Sequence, residues 1–212
     1  MAVNTGNLLQ DVEALYSGSV RRHGIDSKGV GWRDDVGHRL RFDKLVQVLI
    51  RDHSCEPFTV NDLGSGYGAM FRYLDERYGH RLAQYHGYEI SDAMIEACGE
   101  FIGADPRLAI HKTNVPEHAA DYSFVCGTFN VKLQANDEQW DAYVKDTILR
   151  LAHHSTCGFA FNLFSSHVDW KEPHLFYADP AHYFDFCKRN IARKVTLLHD
   201  YPLYEWTIVV LK

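Results

Sequence analysis

The chain has 212 residues, 46% of them hydrophobic, and a formal charge of −6, which suits one globular body with a sizeable core. An acidic chain has no general attraction to phosphate backbones, so a nucleic-acid partner is not expected. No run of roughly 18 apolar residues occurs, so no membrane span is expected; Met1 to Gln10 lack the basic start and apolar region of a secretion signal, and the expected location is cytoplasmic.

The five cysteines, Cys55, Cys98, Cys126, Cys157 and Cys187, are dispersed and form no C-x-x-C pair. Disulfides and a zinc cage are therefore not expected, and the cysteines read as small buried hydrophobes. Thirteen histidines are more than usual, but only His153 and His154 are adjacent, and helix neighbours point in different directions. No metal site is expected.

In chain order, Leu8, Leu9, Val12, Leu15 and Tyr16 recur at helical spacing and give a first amphipathic helix, with Gly18 and Ser19 placed to end it. Arg21 to Gly31 is polar and glycine-rich, hence a loop. Asp34 and Asp35 sit where an N-cap and first turn favour acids, and Val36, Leu40, Leu45 or Val46, and Leu49 would form the apolar face of a second helix to about Arg51. Arg33, Arg39, Arg41 and Lys44 read as its solvated face. Arg41 or Lys28 is alternatively placed to reach the carboxylate of a bound amino acid, and Trp32 is either a lid or a core residue. Residues 1–55 are expected to form a helical cap on a domain spanning 56–212, the two making one compact body.

The stretch from Phe58 to Gly68 (FTVNDLGSGYG) carries the strongest signal. A β-branched apolar run ends in Asp62, three glycines alternate at Gly64, Gly66 and Gly68, and Ala69, Met70, Phe71, Tyr73 and Leu74 then follow at helical spacing: strand, tight turn, helix. Such a turn needs glycine conformations and close ligand approach, and the helix start offers free N–H groups. Gly64, Gly66 and Ala69 also fit the dinucleotide pattern G-x-G-x-x-G/A, so a nicotinamide reading stands beside any other. Asp62 tips the balance. A pyrophosphate gains nothing from a carboxylate there, whereas an ammonium or sulfonium does.

Ala83 to Ile90 reads as a second strand, with Glu89 roughly 20–25 residues past the glycines, where nucleotide-binding sheets place a carboxylate for ribose hydroxyls. A helix from Ser91-Asp92 follows, then strands at Leu108 to Thr113 and Ala120 to Cys126, a helix over about Glu138 to Ala152, and a strand at Gly158 to Phe164. This alternation predicts a parallel sheet covered on both faces. Asp179-Pro180 opens another helix. The last strands, Val195 to His199 and Tyr204 to Val210, are linked by too few residues for a parallel crossover and must pair antiparallel.

Asp62-Leu63-Gly64-Ser65-Gly66-Tyr67-Gly68 resembles, at every specified position, the D/E-x-G-x-G-x-G loop of class I S-adenosylmethionine (SAM) methyltransferases, and the resemblance extends from about residue 35 to the C-terminus. It implies an α/β, Rossmann-like, mostly parallel seven-stranded sheet in the order 3-2-1-4-5-7-6, the last strand antiparallel. It implies SAM as cofactor and S-adenosylhomocysteine (SAH) as product, bound through Asp62, Gly64, Ser65, Gly66, Gly68, Glu89, Ile90, Asn114, Cys126 and Gly127, with Arg41 as a further contact. Asn114 stands where the family usually has Asp. No N-P-P-Y or D-P-P-Y occurs, since Gly127-Thr128-Phe129-Asn130 occupies that place. The expected activity is methyl transfer to oxygen or nitrogen of a small molecule, with no nucleic-acid or membrane partner and with homodimerisation left open. A non-catalytic SAM-binding protein and a nicotinamide oxidoreductase are the alternatives. His167, Tyr177, Asn130 and His199, in and around the long connection from Ser165 to Asp179, are the catalytic candidates.

Overall fold

The computed structural model describes residues 6–31, 34–52 and 56–212; Cys55, Trp32 and Arg33 lie outside them, as does the Lys28 side chain. The first helix, α1 (Gly6–His23), continues through Gly18 and Ser19 rather than ending there. Tertiary packing overrides the glycine: Val20, beyond it, is buried with Tyr67, Ala93, Met94 and Ala97. A 3-10 turn at Ser27–Val30 follows. The expected second helix is split at Val46 into α2 (Asp35–Leu45) and α3 (Gln47–Arg51), and Asp34 caps it by accepting the Gly37 N–H at 2.7 Å.

The sheet follows: β1 (Phe58–Leu63), α4 (Ala69–Tyr78), β2 (Leu82–Glu89), α5 (Asp92–Ile102), β3 (Leu108–Lys112), β4 (Ala120–Val125), α6 (Asp137–His154), β5 (Ser155–Ser165), a two-residue β6 (Tyr177–Ala178), α7 (Pro180–Asn190), β7 (Lys194–Leu198) and β8 (Glu205–Leu211). The strand order is β3-β2-β1-β4-β5-β8-β7, with β6 paired to β5. Leaving aside that two-residue strand, this is the expected order. β8 runs antiparallel to both β5 and β7, as the short link between the last two strands requires.

Alternation along the central strands builds two cores, one on each face. Phe159, Phe161 and Leu163 of β5 face α6 and α7 with Trp140, Ile148, Tyr183 and Trp206, while Ala160 faces α2, α3 and α4 with Phe42, Leu45, Val48, Phe71 and Leu74. The residues before β1 therefore divide by role. α2 and α3 cover the sheet, whereas α1 lies on α5, where Ser17 and Ser91 share a hydroxyl hydrogen bond of 2.7 Å.

Three expectations change. Arg41 is neither solvated nor free to meet a ligand: it is buried, and its Nε donates to both oxygens of Glu205 at 2.9 and 3.0 Å. Val36 is 79% exposed, because the buried face of α2 is instead His38, Arg41, Phe42 and Leu45. Cys157 is disulfide-bonded, whereas Cys98, Cys126 and Cys187 are free thiols.

Candidate active site

At the C-terminal end of β1, Gly64, Gly66 and Gly68 all take positive φ, at 75°, 54° and 87°. At Gly64 the need is also steric, since a Cβ there would stand 2.2 Å from Thr128 Oγ1. Thr128 in turn donates to the Leu63 carbonyl at 2.9 Å, holding the end of β4 against the loop. The Gly64 and Ser65 N–H groups donate to the Tyr88 carbonyl at 2.8 and 3.2 Å, so the loop is also tied to β2. One residue further, Glu89 Oε2 accepts from Gly66 N at 2.9 Å, and Oε1 accepts from Ile90 N and Ser91 N at 2.8 and 2.9 Å. That carboxylate organises the loop it faces.

Above these strand ends lies a cavity of about 910 Å³, partly open to solvent. Asp62, Gly64, Ser65, Gly66, Glu89, Ile90, Asn114, Cys126 and Gly127 line it from the sheet side. Its other walls are Leu9, Val12 and Tyr16 of α1, Val30 of the 3-10 turn, His38 and Phe42 of α2, Met94 and Tyr143. Two carboxylates face this space, and among the described lining residues there is no Lys or Arg.

Charge is costly to hold at this depth. Burial above all raises the Asp62 carboxyl from its usual 3.8 to about 7; the Tyr85 hydroxyl, which donates to it, works the other way, and the nearby Glu89 adds to the rise. A shift of about three units corresponds to a cost on the order of 4 kcal/mol at and above neutral pH. Glu89 is also raised, by burial first, against its three main-chain donors. Ser65 lines the same space, and its buried hydroxyl has no hydrogen-bond partner among the described residues. A cavity so built favours a ligand carrying positive charge and hydrogen-bonding groups.

The catalytic candidates of the sequence reading fall elsewhere. None of His167, Tyr177, Asn130 and His199 lines this cavity. Asn130 is buried, with its Oδ1 accepting the Phe164 N–H at 3.0 Å, and so braces the end of β5. Tyr177 stacks on Phe164, and His167 faces His199 with ring centroids 5.8 Å apart. Asn130 also donates its main-chain N–H to the Gly127 carbonyl at 3.0 Å, so it stands behind the cavity wall rather than in it. Gly68 also does not line the cavity; it is the N-cap of α4.

Similarity to known proteins agrees with this architecture. The chain is 41% identical over 163 residues to a Mycobacterium tuberculosis protein named Putative methyltransferase Rv1506c, a match spanning 76% of this chain and 96% of that one. The chain belongs to the class I SAM-dependent methyltransferases. Among solved structures, the magnesium protoporphyrin IX methyltransferase of Synechocystis, with bound SAM, shares the fold at TM-score 0.59 and 16% identity, covering 84% of this chain and 80% of that one. The DhpI–SAM–HEP complex gives TM-score 0.62 at 14% identity, covering 97% and 98%. No family model matches.

SAM, the cofactor of this family, carries an ammonium and a sulfonium, so a cavity with two carboxylates suits it; a pyrophosphate would meet like charge there. The nicotinamide alternative is set aside by family membership. The sequence reading did not name the residues of the wall facing the sheet side. His38 is the clearest omission: it is 7% exposed, packs on Phe42 with ring centroids 4.5 Å apart, and is held near 4 by burial first and then by the Arg41 charge. A single histidine on a charged helix gives no signal in sequence until the burial of that helix face is known. No helix among the described residues is long and apolar enough to cross a membrane.

Proposed function

We propose that the protein transfers the methyl group of SAM to an oxygen or nitrogen of a small acceptor held in this cavity, between the glycine loop and the inner faces of α1 and α2. The observation that carries the reading is the lining itself: Leu9, Val12, Tyr16, Val30, Phe42 and Tyr143 share one cavity with a buried imidazole, His38, and with two carboxylates on the sheet side. Apolar walls with a few convergent polar groups are how small-molecule sites are made. Bound SAM supplies an activated methyl on its sulfonium.

In this reading Asp62 receives the ammonium, Glu89 the ribose hydroxyls and Asn114 the adenine amine. The main chain at Gly64, Ser65, Gly66, Ile90, Cys126 and Gly127 closes around the rest, while Gly68 shapes the turn. Arg41 is left out, being committed to Glu205. The chain has two further tasks: to align the acceptor for in-line attack and to exclude water. α1, with its three apolar residues on the cavity, does the second and is the cap. His38, neutral through the physiological range, accepts the proton that the acceptor hydroxyl or amine loses as its bond to the methyl carbon forms and the carbon–sulfur bond breaks. Cytoplasmic residence, and an acceptor that is neither nucleic acid nor membrane lipid, belong to the same proposal.

Incubation with radiolabelled SAM against a small-metabolite fraction, total RNA and a protein extract tests it. Label is expected in the metabolite fraction; label in RNA or protein with none in small molecules would overturn the substrate class. In the same assay His38→Ala is expected to lower turnover about 100-fold or more while SAH affinity stays the same.

A further inference from the structure

Three histidines on the β2–β3 edge of the sheet lie outside the cavity lining. His86 lies in β2, His111 in β3, and His118 in the connection from β3 to β4. Nothing in their spacing along the chain suggests a ligand set. Strand pairing brings them together: His86 sits opposite Ala109 and Tyr88 opposite His111 in parallel register. His86 Nδ1 and His111 Nε2 are 3.1 Å apart. Two nitrogens on one tetrahedral ion, with bonds of about 2.0–2.1 Å, are separated by about 3.3–3.4 Å. Ligand nitrogens of all three residues lie within 4.8 Å of one another.

The third histidine is oriented by a chain of hydrogen bonds. Asn61 Nδ2 donates to the His118 carbonyl at 2.8 Å, which turns Asn61 Oδ1 toward the Tyr88 hydroxyl, and that hydroxyl donates to it at 3.1 Å. With its proton committed, the Tyr88 oxygen accepts from His118, whose main-chain N and ring Nδ1 are 3.2 and 3.3 Å away. Nδ1 of His118 therefore carries the hydrogen, and the lone pair is on Nε2. An outer partner that fixes the tautomer is what metal-ligating imidazoles have.

We propose that His86, His111 and His118 form a binding site for a divalent d-block cation of the zinc type, with water in the fourth position. An all-imidazole set favours zinc, copper and nickel over magnesium or calcium. His118 is exposed, so the fourth position opens to solvent. The His86 and His118 rings stack in parallel at 4.5 Å, so binding would require His86 to turn about Cβ–Cγ while His118 keeps its Nδ1 on the Tyr88 hydroxyl. The ion would also brace the connection that carries Thr113 and Asn114 into the cofactor cavity.

The test uses tag-free full-length protein, stripped with a chelator and titrated with Zn²⁺ and separately Co²⁺, with no cofactor present. One Zn²⁺ per chain and the visible absorption of tetrahedral Co²⁺ are expected. His118→Ala, at an exposed position, should leave the melting temperature of the metal-free protein unchanged and weaken Zn²⁺ binding at least tenfold. His86→Ala should weaken it similarly, and the remote His182→Ala should leave it unchanged. Zn²⁺ binding that survives both His118→Ala and His86→Ala, or no stoichiometric binding at micromolar protein, would overturn the site. Neither result depends on methyl transfer.

Discussion

Two carboxylates are buried at the same edge of the sheet and are treated in opposite ways. Glu205, at the start of β8, is fully buried and fully matched: Arg41 Nε donates to both of its oxygens, and Asn162 Nδ2 donates at 2.6 Å. Asp62, near the end of β1, is as deeply buried, yet among the described residues its side-chain donor is the neutral Tyr85 hydroxyl, and the charge that acts on it is the like charge of Glu89. A buried charge with its counter-charge in place is architecture. One without it, facing a cavity, is a site for a cationic ligand. The two regions adjoin: Asn162 Oδ1 accepts the Gly127 N–H at 2.7 Å and so links the Glu205 network to the cavity wall.

The sharpest way to break this comparison is to remove the cation from the matched pair. Arg41→Ala leaves Glu205 buried and unpaired, and is expected to cost about 3–5 kcal/mol of stability. Joint replacement by Arg41→Met and Glu205→Leu should recover most of that loss. Denaturant unfolding measures both. A single-variant cost below about 1 kcal/mol would mean that the pair is solvated and carries little, as exposed pairs do.

Asp62→Asn should behave in the opposite sense. It removes a charge whose burial is unfavourable while keeping an oxygen for the Tyr85 hydroxyl, so the ligand-free protein should melt at the same temperature or higher. SAH affinity should nevertheless fall by about 1.5–3 kcal/mol, the range for hydrogen bonds to charged groups. Calorimetry and thermal unfolding on one preparation give both numbers. Loss of stability with unchanged affinity would place Asp62 with Glu205 as architecture.

The unmatched region was legible in the sequence and the matched one was not. Asp62, the glycines and Glu89 are local to one strand–turn–helix–strand unit, whose spacing shows itself along the chain. Helix–strand alternation gave the parallel sheet and the short last link its antiparallel pair, while the order of the strands came from the resemblance to the family. Arg41 and Glu205 are 164 positions apart; a cation on a charged helix reads as solvated until its partner is folded against it. The same holds for His38 and for the three histidines gathered by β2 and β3. α1 outran its expected end because packing of Val20 outweighed Gly18.

A smaller effect sharpens the comparison through pH. The folded pKa of Asp62, about 7, lies above the ordinary carboxylate value, so its unfavourable contribution to stability is full above pH 7 and fades as pH falls toward 4. Binding has the other sign, because the ammonium needs the ionised form. SAH affinity should drop by up to about tenfold per unit as pH falls below 7, and binding near pH 7 should release a proton. Calorimetry in buffers of different ionisation enthalpy reads the proton directly, and Asp62→Asn should abolish the release. A flat profile in the native chain would show Asp62 already ionised before binding.

The smallest expected effect concerns a second hollow, lined by Phe164, Val168, Asp169, Trp170, Tyr177 and Tyr204, and two histidines of the neighbouring chain segments. His167 and His199 have the chemistry of a general base, and their place on the ligand edge of the sheet makes them natural candidates. Their surroundings say otherwise. His167 is held locally, its main-chain N–H donating to Ser165 Oγ at 3.1 Å with the same oxygen 3.4 Å from ring Nδ1. Its ring faces His199, and neither lines the cavity that holds the two carboxylates. His167→Ala and His199→Ala should therefore leave kcat and the KM for SAM within about twofold, small beside the loss expected at His38, since a general base must reach the proton that it removes. Steady-state kinetics on the three variants, once an acceptor is in hand, decides between the two ends of the edge. A large fall in kcat at His167 with His38→Ala unimpaired would move the acceptor from the glycine loop's cavity to the hollow beside Tyr177 and Tyr204.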